Sequence, residues 1–174
     1  MPRPRIYTNN AEKQRAYRRR KRKQQPVYFR QKSDEWETPA ELFEELHREF
    51  HFTIDVAALP DNAKCDEFYT PGEDGLAQEW RGVCWMNPPY GLVLRQWIKK
   101  AHDSSLSGAT VVALLPARTD TQWWHDYVLP HGEVRYIRGR MKFNGVENSA
   151  PFPSAIVVFR PTPAVGGTLR EGER

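Results

Sequence analysis

Apolar residues recur along the chain in two periods, which predict alternating helices and strands downstream of a basic N-terminal segment. A stripe at helical spacing predicts a first helix over residues 39–50, with Thr38 at its N-cap and Pro39 at the first helical position. A similar stripe predicts a helix over residues 93–104, and a short helix is predicted over residues 121–128. The sequence thus predicts three helices.

Short apolar runs between these helices predict six strands. They cover residues 52–58, 65–69, 83–87, 110–115, 133–138 and 154–160. The run TVVALL at 110–115 is almost wholly apolar, which is typical of a central strand covered on both faces. Strands that alternate with helices predict an α/β fold with an open, mostly parallel sheet.

Acidic and amide side chains are predicted at the carboxyl ends of these strands, where open α/β sheets bind their ligands. Asp55 follows the first strand, and Asp66 and Glu67 are assigned to the end of the second. Asp74 lies in the loop after that, and Asn87 follows the next strand. Such a row suits a ligand rich in hydroxyl and amino donors, for example a nucleoside.

The sequence Asn87-Pro88-Pro89-Tyr90 is the most informative stretch of the chain. Both prolines fix φ near −65° and lack an N–H group, so the turn is stiff and its carbonyls have no local donors. Asn87 adds a side-chain acceptor, and Tyr90 adds a flat aromatic face. Acceptors and a stacking surface at fixed spacing can hold a planar group that bears an amino nitrogen.

At this motif the chain resembles the amino-methyltransferases, whose signature is (Asp/Asn/Ser)-Pro-Pro-(Tyr/Phe/Trp). From Trp36 to about Phe159 it resembles the phage-encoded, Dam-like DNA N6-adenine methyltransferases. The matching motifs are Trp36-Glu37-Thr38-Pro39, Asp55-Val56-Ala57-Ala58, Asn62-Ala63-Lys64-Cys65, Asp74-Gly75-Leu76, Asn87-Pro88-Pro89-Tyr90-Gly91, Leu115-Pro116-Ala117-Arg118-Thr119-Asp120-Thr121 and Arg138-Gly139-Arg140-Met141-Lys142-Phe143.

The resemblance implies a Rossmann-like methyltransferase fold with an antiparallel C-terminal strand, and S-adenosylmethionine (SAM) as methyl donor. It also implies a set of cofactor contacts. These are Trp36, Thr38 and Pro39 over the methionine end, Asp55 and Ala57 in the first turn, Asp66 or Glu67 at the ribose, Asp74 at the adenine amino group, and Asn87. One departure is the turn at residues 56–60, which lacks the glycine that many SAM enzymes have there.

For the target, the resemblance implies an adenine N6 in double-stranded DNA. Asn87 and the Pro88 carbonyl would accept hydrogen bonds from the amino group, Pro89 would stiffen the turn, and Tyr90 would stack on the flipped-out base. Two acceptors on the N–H bonds favour the more tetrahedral nitrogen that can attack a methyl group. A neutral asparagine suffices, because the methylated cationic nitrogen loses its proton readily.

The charge of the chain is divided unevenly. Residues 1–30 hold 11 Lys and Arg and one acid, a net charge of +10, whereas residues 31–174 hold 15 against 21, a net charge of −6. The first segment lacks an apolar stripe, so we predict a disordered arm that binds a polyanion, before a methyltransferase domain at 31–162 and a flexible tail at 163–174. The predicted DNA contacts are Arg18, Arg19, Arg20, Lys21, Arg22 and Lys23 in the arm, and Arg118, Arg138, Arg140 and Lys142 in the domain.

Other classes of protein fit the sequence less well. No stretch is long and apolar enough for a membrane span, no secretory signal is present, and Cys65 and Cys84 suit a reducing compartment, so we expect a location in the cytoplasm of a bacterial host. We expect no metal, because His47 and His51 lack the spacing of a zinc motif. The open alternatives are a methyltransferase acting on RNA or a protein glutamine, and an inactive DNA-binding relative.

Overall fold

The computed structural model describes residues 36–144 and 149–161, which form a six-stranded sheet with helices packed on it. The strands are β1 (Ile54–Asp55), β2 (Glu67–Phe68), β3 (Val83–Met86), β4 (Thr110–Pro116), β5 (Gly132–Tyr136) and β6 (Ser154–Phe159). The helices are α1 (Ala40–Phe50), α2 (Leu94–Leu106) and α3 (Leu129–His131), the last continuing a π-helical segment at Trp124–Val128. The predicted arm at 1–30 and tail at 163–174 lie outside the described residues.

The strand order β2-β1-β3-β4-β6-β5 confirms the predicted fold class. β2, β1, β3 and β4 are parallel to one another, and β6 is antiparallel to both β4 and β5. The last strand is therefore inserted between two strands that run in the same direction. As a result, the carboxyl ends of β1, β3, β4 and β5 lie along the same edge of the sheet, which we call the carboxyl edge.

The core is centred on β4 and β6, which are buried almost throughout. This confirms the prediction of a covered central strand, because an apolar run with no polar face must have protein on both sides. Helix α1 packs its stripe on the sheet, where Phe43 meets the Trp85 ring of β3 edge-on at 5.5 Å. Helix α2 buries Trp97 and Ile98. Among the described residues, no helix is long and apolar enough to cross a bilayer.

The start of the first helix differs from the prediction. The helix begins at Ala40, and Pro39 takes the N-cap position with ψ of 137° and no capping hydrogen bond from its side chain. Thr38 is therefore not the N-cap. Its hydroxyl accepts a hydrogen bond of 3.0 Å from Nδ2 of Asn87, which is distant in sequence. It does not cap the first N–H groups of the helix.

The first strand is shorter than predicted. Its ladder to β3 extends only from the Thr53 N–H, which donates to Val83 O at 2.8 Å, to the Val56 N–H, which donates to Trp85 O at 3.0 Å. Beyond this point the carboxylate of Asp55 accepts the Ala57 N–H and turns the chain away from the sheet. A side chain inside the apolar run thus ends the strand.

The third helical segment is longer than predicted and wider in its middle. The Leu129 N–H donates to Trp124 O, an i to i+5 bond that widens the turn. The segment then continues to His131 before β5 begins. The remaining predicted boundaries differ from the structure by no more than two residues at either end.

Candidate active site

Asn87 stands directly after β3 at the carboxyl edge, and its amide is held in one orientation. The Nδ2 group donates to the carbonyl of Trp36 and to Oγ1 of Thr38, the latter at 3.0 Å. Because a carbonyl can only accept, the nitrogen must be the atom that faces Trp36. The other amide atom, Oδ1, is buried and accepts no hydrogen bond from any described residue. The site therefore contains a fixed, unused acceptor.

The segment that holds this amide is residues 36–38, which we call the strap. The strap lies against the chain after β5, where the Asn144 N–H donates to Glu37 O at 3.0 Å and Nδ2 of Asn144 donates to Thr38 O at 3.4 Å. The Trp36 ring packs on the rings of Phe143 and Phe152, with centroids at 5.1 and 5.2 Å. The strap thus joins Asn87 to the segment at 138–144.

Tyr90 anchors the same turn from inside the protein. It is only 4 % exposed, its hydroxyl donates to the carbonyl of Leu114 at 2.9 Å, and burial raises the pKa of its phenol. Phe143 and Phe152 pack edge-to-face with its ring at 6.3 and 5.6 Å. Pro88 and Pro89 are buried as well. A base can stack on Tyr90 only after the covering side chains move.

Asp55 organises the loop after β1. Its side chain is 3 % exposed, with Oδ1 accepting the Ala57 N–H at 3.2 Å and Oδ2 accepting the Lys64 N–H at 3.1 Å. Burial raises the pKa of this carboxyl from 3.8 to about 6, although the two backbone donors and the charge of Lys64 oppose the rise. Lys64 also reaches Glu37 of the strap at 3.5 Å. Asp55 therefore holds the loop after β1 in shape by accepting the N–H groups of Ala57 and Lys64.

Asp74 and Gly75 bring a second loop onto the first. Asp74 is half-buried and adopts a left-handed conformation with φ of 56°. A Cβ on Gly75 would lie 2.3 Å from the Val56 carbonyl oxygen and 3.0 Å from the Trp97 ring, so only glycine permits this approach. The structure thus brings Asp74 close to the turn that contains Ala57.

Asp66 and Glu67 do not follow the second strand, so this prediction is wrong. Glu67 is the first residue of β2, paired with Ile54, and Asp66 precedes it. In the loop before β2 the Lys64 N–H donates to Asp55 Oδ2, and the pairing with β1 begins at Glu67. Both acidic side chains are exposed, and Glu67 lines a surface cleft with Thr53 and Arg81. We therefore do not propose either as a cofactor contact.

Four predicted DNA contacts lie at the carboxyl edge, and we call them the unpaired cluster. Arg118 follows β4, while Arg138, Arg140 and Lys142 follow β5. All four are exposed, and none makes an ion pair with an acidic side chain in the part of the chain that the structure describes. Met141 and Phe143, which alternate with the cations, are buried. The exposed cations of this segment thus alternate with apolar side chains that are packed into the core. The predicted contacts Arg18 to Lys23 lie outside the described residues.

Sequence reasoning missed several residues that complete the site. Phe152 and Asn144 were not singled out, and Phe143 was named only as the end of a matching motif. The alternation of cations and apolar residues at 140–143 nevertheless indicates a segment with one buried side. The cysteines take no part. Burial raises the pKa of the thiols of Cys65 and Cys84 to about 12. Within the described ranges no group of three or more potential metal ligands occurs.

Comparison with known proteins adds to this geometry. The chain matches the family described as DNA N-6-adenine-methyltransferase (Dam) over residues 27–163. It is 33 % identical over 142 residues to the DNA N-6-adenine-methyltransferase of Haemophilus phage HP1, covering 76 % of this chain and 82 % of the relative. It is 31 % identical over 108 residues to the DNA N-6-adenine-methyltransferase of Escherichia phage T1, covering 60 % of this chain and 44 % of the relative.

The sheet order, with its inserted antiparallel strand, and the Asn-Pro-Pro-Tyr turn at the carboxyl edge define a Rossmann-like methyltransferase. Within that class the family is shown by a match over most of the chain. The protein belongs to the DNA N-6-adenine-methyltransferase (Dam) family, which confirms the resemblance seen in the sequence.

Proposed function

We propose that this protein transfers a methyl group from SAM to the N6 amino group of adenine in double-stranded DNA. The observation that carries the proposal is the amide of Asn87, whose nitrogen is bound by the strap while its buried oxygen is unused. An unsatisfied buried acceptor costs about 1–3 kcal/mol. An amino group that enters the site and donates to this oxygen recovers that energy. Family membership supports the choice of adenine N6 in DNA.

The residues around Asn87 fit a cationic nucleoside cofactor. Trp36 is half-buried and offers an aromatic face to a positive charge. The Thr38 hydroxyl accepts from Asn87, so its own proton can be donated to a carboxylate. Asp74 offers a carboxylate close to the Ala57 turn. When bound, SAM supplies a methyl group attached to a positively charged sulfur. Pro39 and Asp55 hold the strap and the first loop around this space.

The target base is held by the turn after β3. Oδ1 of Asn87 and the Pro88 carbonyl accept the two N6 hydrogens, which draws the nitrogen lone pair out of the ring. Pro89 keeps the turn stiff. Extrusion of the base from the duplex costs a few kcal/mol, and stacking on Tyr90 returns about 1–3 kcal/mol of it. Because Tyr90 is covered in this structure, the aromatic group around it opens when the base enters.

The unpaired cluster is the part of the domain that binds the DNA backbone in this proposal. Three of its cations lie within six residues after β5, and the strap links their segment to Asn87. Phosphates that contact these side chains release counterions, so binding weakens as salt rises. The arm at 1–30 adds further positive charge and offsets the net charge of −6 on the rest of the chain. The proposed DNA surface therefore consists of the arm and the cluster together.

The decisive experiment measures transfer of a tritiated methyl group from SAM to duplex DNA, RNA and a glutamine-bearing protein. We expect label only in DNA, recovered as N6-methyladenine after digestion. The substitution N87A should lower transfer about 100- to 1000-fold while SAM affinity, measured by calorimetry, changes little. Label confined to RNA or protein, DNA binding without SAM binding, or a fully active N87A variant would contradict the proposal.

A further inference from the structure

The strap makes two contacts to the catalytic amide, and the one to the Trp36 carbonyl requires a donor from it. The Trp36 carbonyl accepts only, and it takes one Nδ2 hydrogen of Asn87. Thr38 takes the other through Oγ1, and Thr38 is itself 2 % exposed. Both nitrogen hydrogens are thereby used inside the protein. Rotation of the amide by 180° would set Oδ1 against the Trp36 carbonyl, so the contacts select one of the two orientations.

We propose that Thr38 is a positioning residue that aims the acceptor of Asn87, and that the strap makes asparagine obligatory here. This inference rests on the proposed function. An aspartate at position 87 has the right shape but no N–H to donate. Its second oxygen would face the Trp36 carbonyl, and the two negative oxygens would repel each other. The Thr38 hydroxyl can turn to donate, but the carbonyl cannot.

The strap also connects Asn87 to the segment that carries three cations of the unpaired cluster. The Asn144 N–H and Nδ2 hold the strap from the other side, and Asn144 lies two residues after Lys142 of the unpaired cluster. The segment that meets phosphate therefore supports the segment that aims Asn87. Loss of the Thr38 hydroxyl removes one of the two contacts to the amide and leaves the Asn144 contacts in place.

The test uses the full chain and single-turnover methyl transfer to duplex DNA at saturating SAM. We expect T38V to lower the rate about 10- to 100-fold, as loss of a group that orients an active residue does elsewhere, and T38S to restore it. We expect N87D to be as slow as N87A. S105A serves as the control, because it removes a similarly buried hydroxyl on α2 and should leave the rate unchanged.

Each result has one meaning. A T38V variant at full rate, a T38V variant that loses only SAM affinity, or an N87D variant near wild-type rate would overturn the positioning role. A slow T38V variant that T38S rescues, with N87D inactive, supports it. An active N87A variant contradicts the proposed function itself, and so separates that failure from failure of this inference.

A second observation, independent of the strap, concerns Leu92. This side chain is fully exposed at 103 %, although it lies between the buried Tyr90 and the buried Leu94. The turn that carries it is closed by a hydrogen bond of 3.1 Å from the Leu94 N–H to Gly91 O. It lies five residues after Asn87, at the same edge as the unpaired cluster. The fold thus presents an apolar side chain on a short, tight turn at the edge of the sheet that also carries the unpaired cluster.

We infer that Leu92 is a wedge that enters the duplex at the step from which the target base leaves. Apolar side chains play this part in proteins that unstack DNA. The unpaired cluster at the same edge suits phosphate, which favours a nucleic acid as the surface that covers Leu92 over a protein or a lipid. The gain from a wedge is largest when the target base is paired, because extrusion then costs base pairing as well as stacking.

The test compares two duplexes, one with the target adenine paired to thymine and one with it opposite an abasic site. We expect L92A to lower kcat/KM about tenfold on the paired duplex and less than about twofold on the other. L106A is the matched control, since Leu106 is 60 % exposed at the far end of α2, and it should be unaffected on both. Equal losses of L92A on both duplexes, or none, would exclude a wedge. Wild-type inactivity on both would instead contradict the proposed function.

Discussion

Arg135 and Arg138 are three residues apart, yet the structure treats their charges in opposite ways. Arg135 lies inside β5, where it makes two hydrogen bonds of 2.6 and 2.7 Å to Glu49 and one of 2.7 Å to Glu133. Arg160 also binds Glu133, at 3.1 Å, and both arginines lie over the ring of Phe50. We call these four charged residues the paired cluster. Its positive charge is used within the protein, to hold α1 against the sheet.

Past the end of β5 the pattern reverses. Arg138, Arg140 and Lys142 have no acidic partner in residues 36–144 and 149–161. A cation that is already neutralised gains little from phosphate, whereas an unpaired cation can release a counterion. The difference shows that the sequence alone does not reveal which basic residues are available to bind phosphate. Whether an acidic side chain lies close enough in space to pair with each of them decides this.

The largest expected effect separates the two clusters by DNA affinity. The triple variant R138A/R140A/K142A should bind duplex DNA about a hundredfold more weakly, with a slope of log K against log salt smaller by up to about three. R135A should change affinity less than about twofold. Fluorescence anisotropy over a salt series measures both, and equal losses would erase the distinction.

The next effect concerns the close packing of two loops at the carboxyl edge, those that contain Val56 and Gly75. G75A places a Cβ 2.3 Å from the Val56 carbonyl oxygen, so we expect a loss of about 3 kcal/mol in the free energy of unfolding. G72A is the control, because its nearest neighbour would be Thr70 Oγ1 at 3.7 Å, an ordinary contact. Urea denaturation measures both variants. A G75A variant as stable as G72A would show that the loop is loosely packed.

Titration of Asp55 should change the free energy of unfolding by up to about 3 kcal/mol between about pH 4 and pH 6. Burial raises the pKa of its carboxyl from 3.8 to about 6, so between these values the folded protein holds a proton that the unfolded chain has lost. The contribution of Asp55 to stability therefore falls as pH rises from about 4 to 6 and is constant above. D55N should abolish this slope. Denaturation of both proteins at several pH values measures the difference, and parallel profiles would contradict it.

The smallest effect tests the paired cluster. E49Q removes one charge from the contact with Arg135 at the surface, so we expect a loss of about 1 kcal/mol in stability, less at high salt. DNA affinity and methyl transfer should not change. A loss of transfer without a loss of stability would mean that the paired cluster serves the reaction as well.

The sequence predicted the sheet, the order of elements and the Asn-Pro-Pro-Tyr turn, because each depends on local period or on neighbouring residues. It did not predict that Thr38 serves Asn87, since the two are brought together by tertiary packing and nothing at 38 or 87 marks the pair. The error on Glu67 has a similar origin. The two-residue strand β2 exists only because β1 offers it a partner.

The same logic covers the basic residues. Their spacing in the sequence predicted that Arg138 and Arg140 form one DNA-binding cluster, and the structure leaves both without an acidic partner among the described residues. The sequence could not distinguish them from Arg135, because the partner of Arg135, Glu49, is on another element. The fold determines which distant charges pair with each other. A count of charges can therefore predict that the chain binds a polyanion, but it cannot predict which basic residues contact it.

The position of β6 has a consequence for synthesis. This strand completes both β4 and β5, but its residues, Ser154–Phe159, come last among the described elements. Until they leave the ribosome, β4 has a bare apolar edge in the middle of the sheet, which is a site for wrong pairing. The sheet therefore cannot close until Ser154–Phe159 have been synthesised, and a stop codon ahead of Ser154 would yield an aggregating fragment rather than a weaker enzyme.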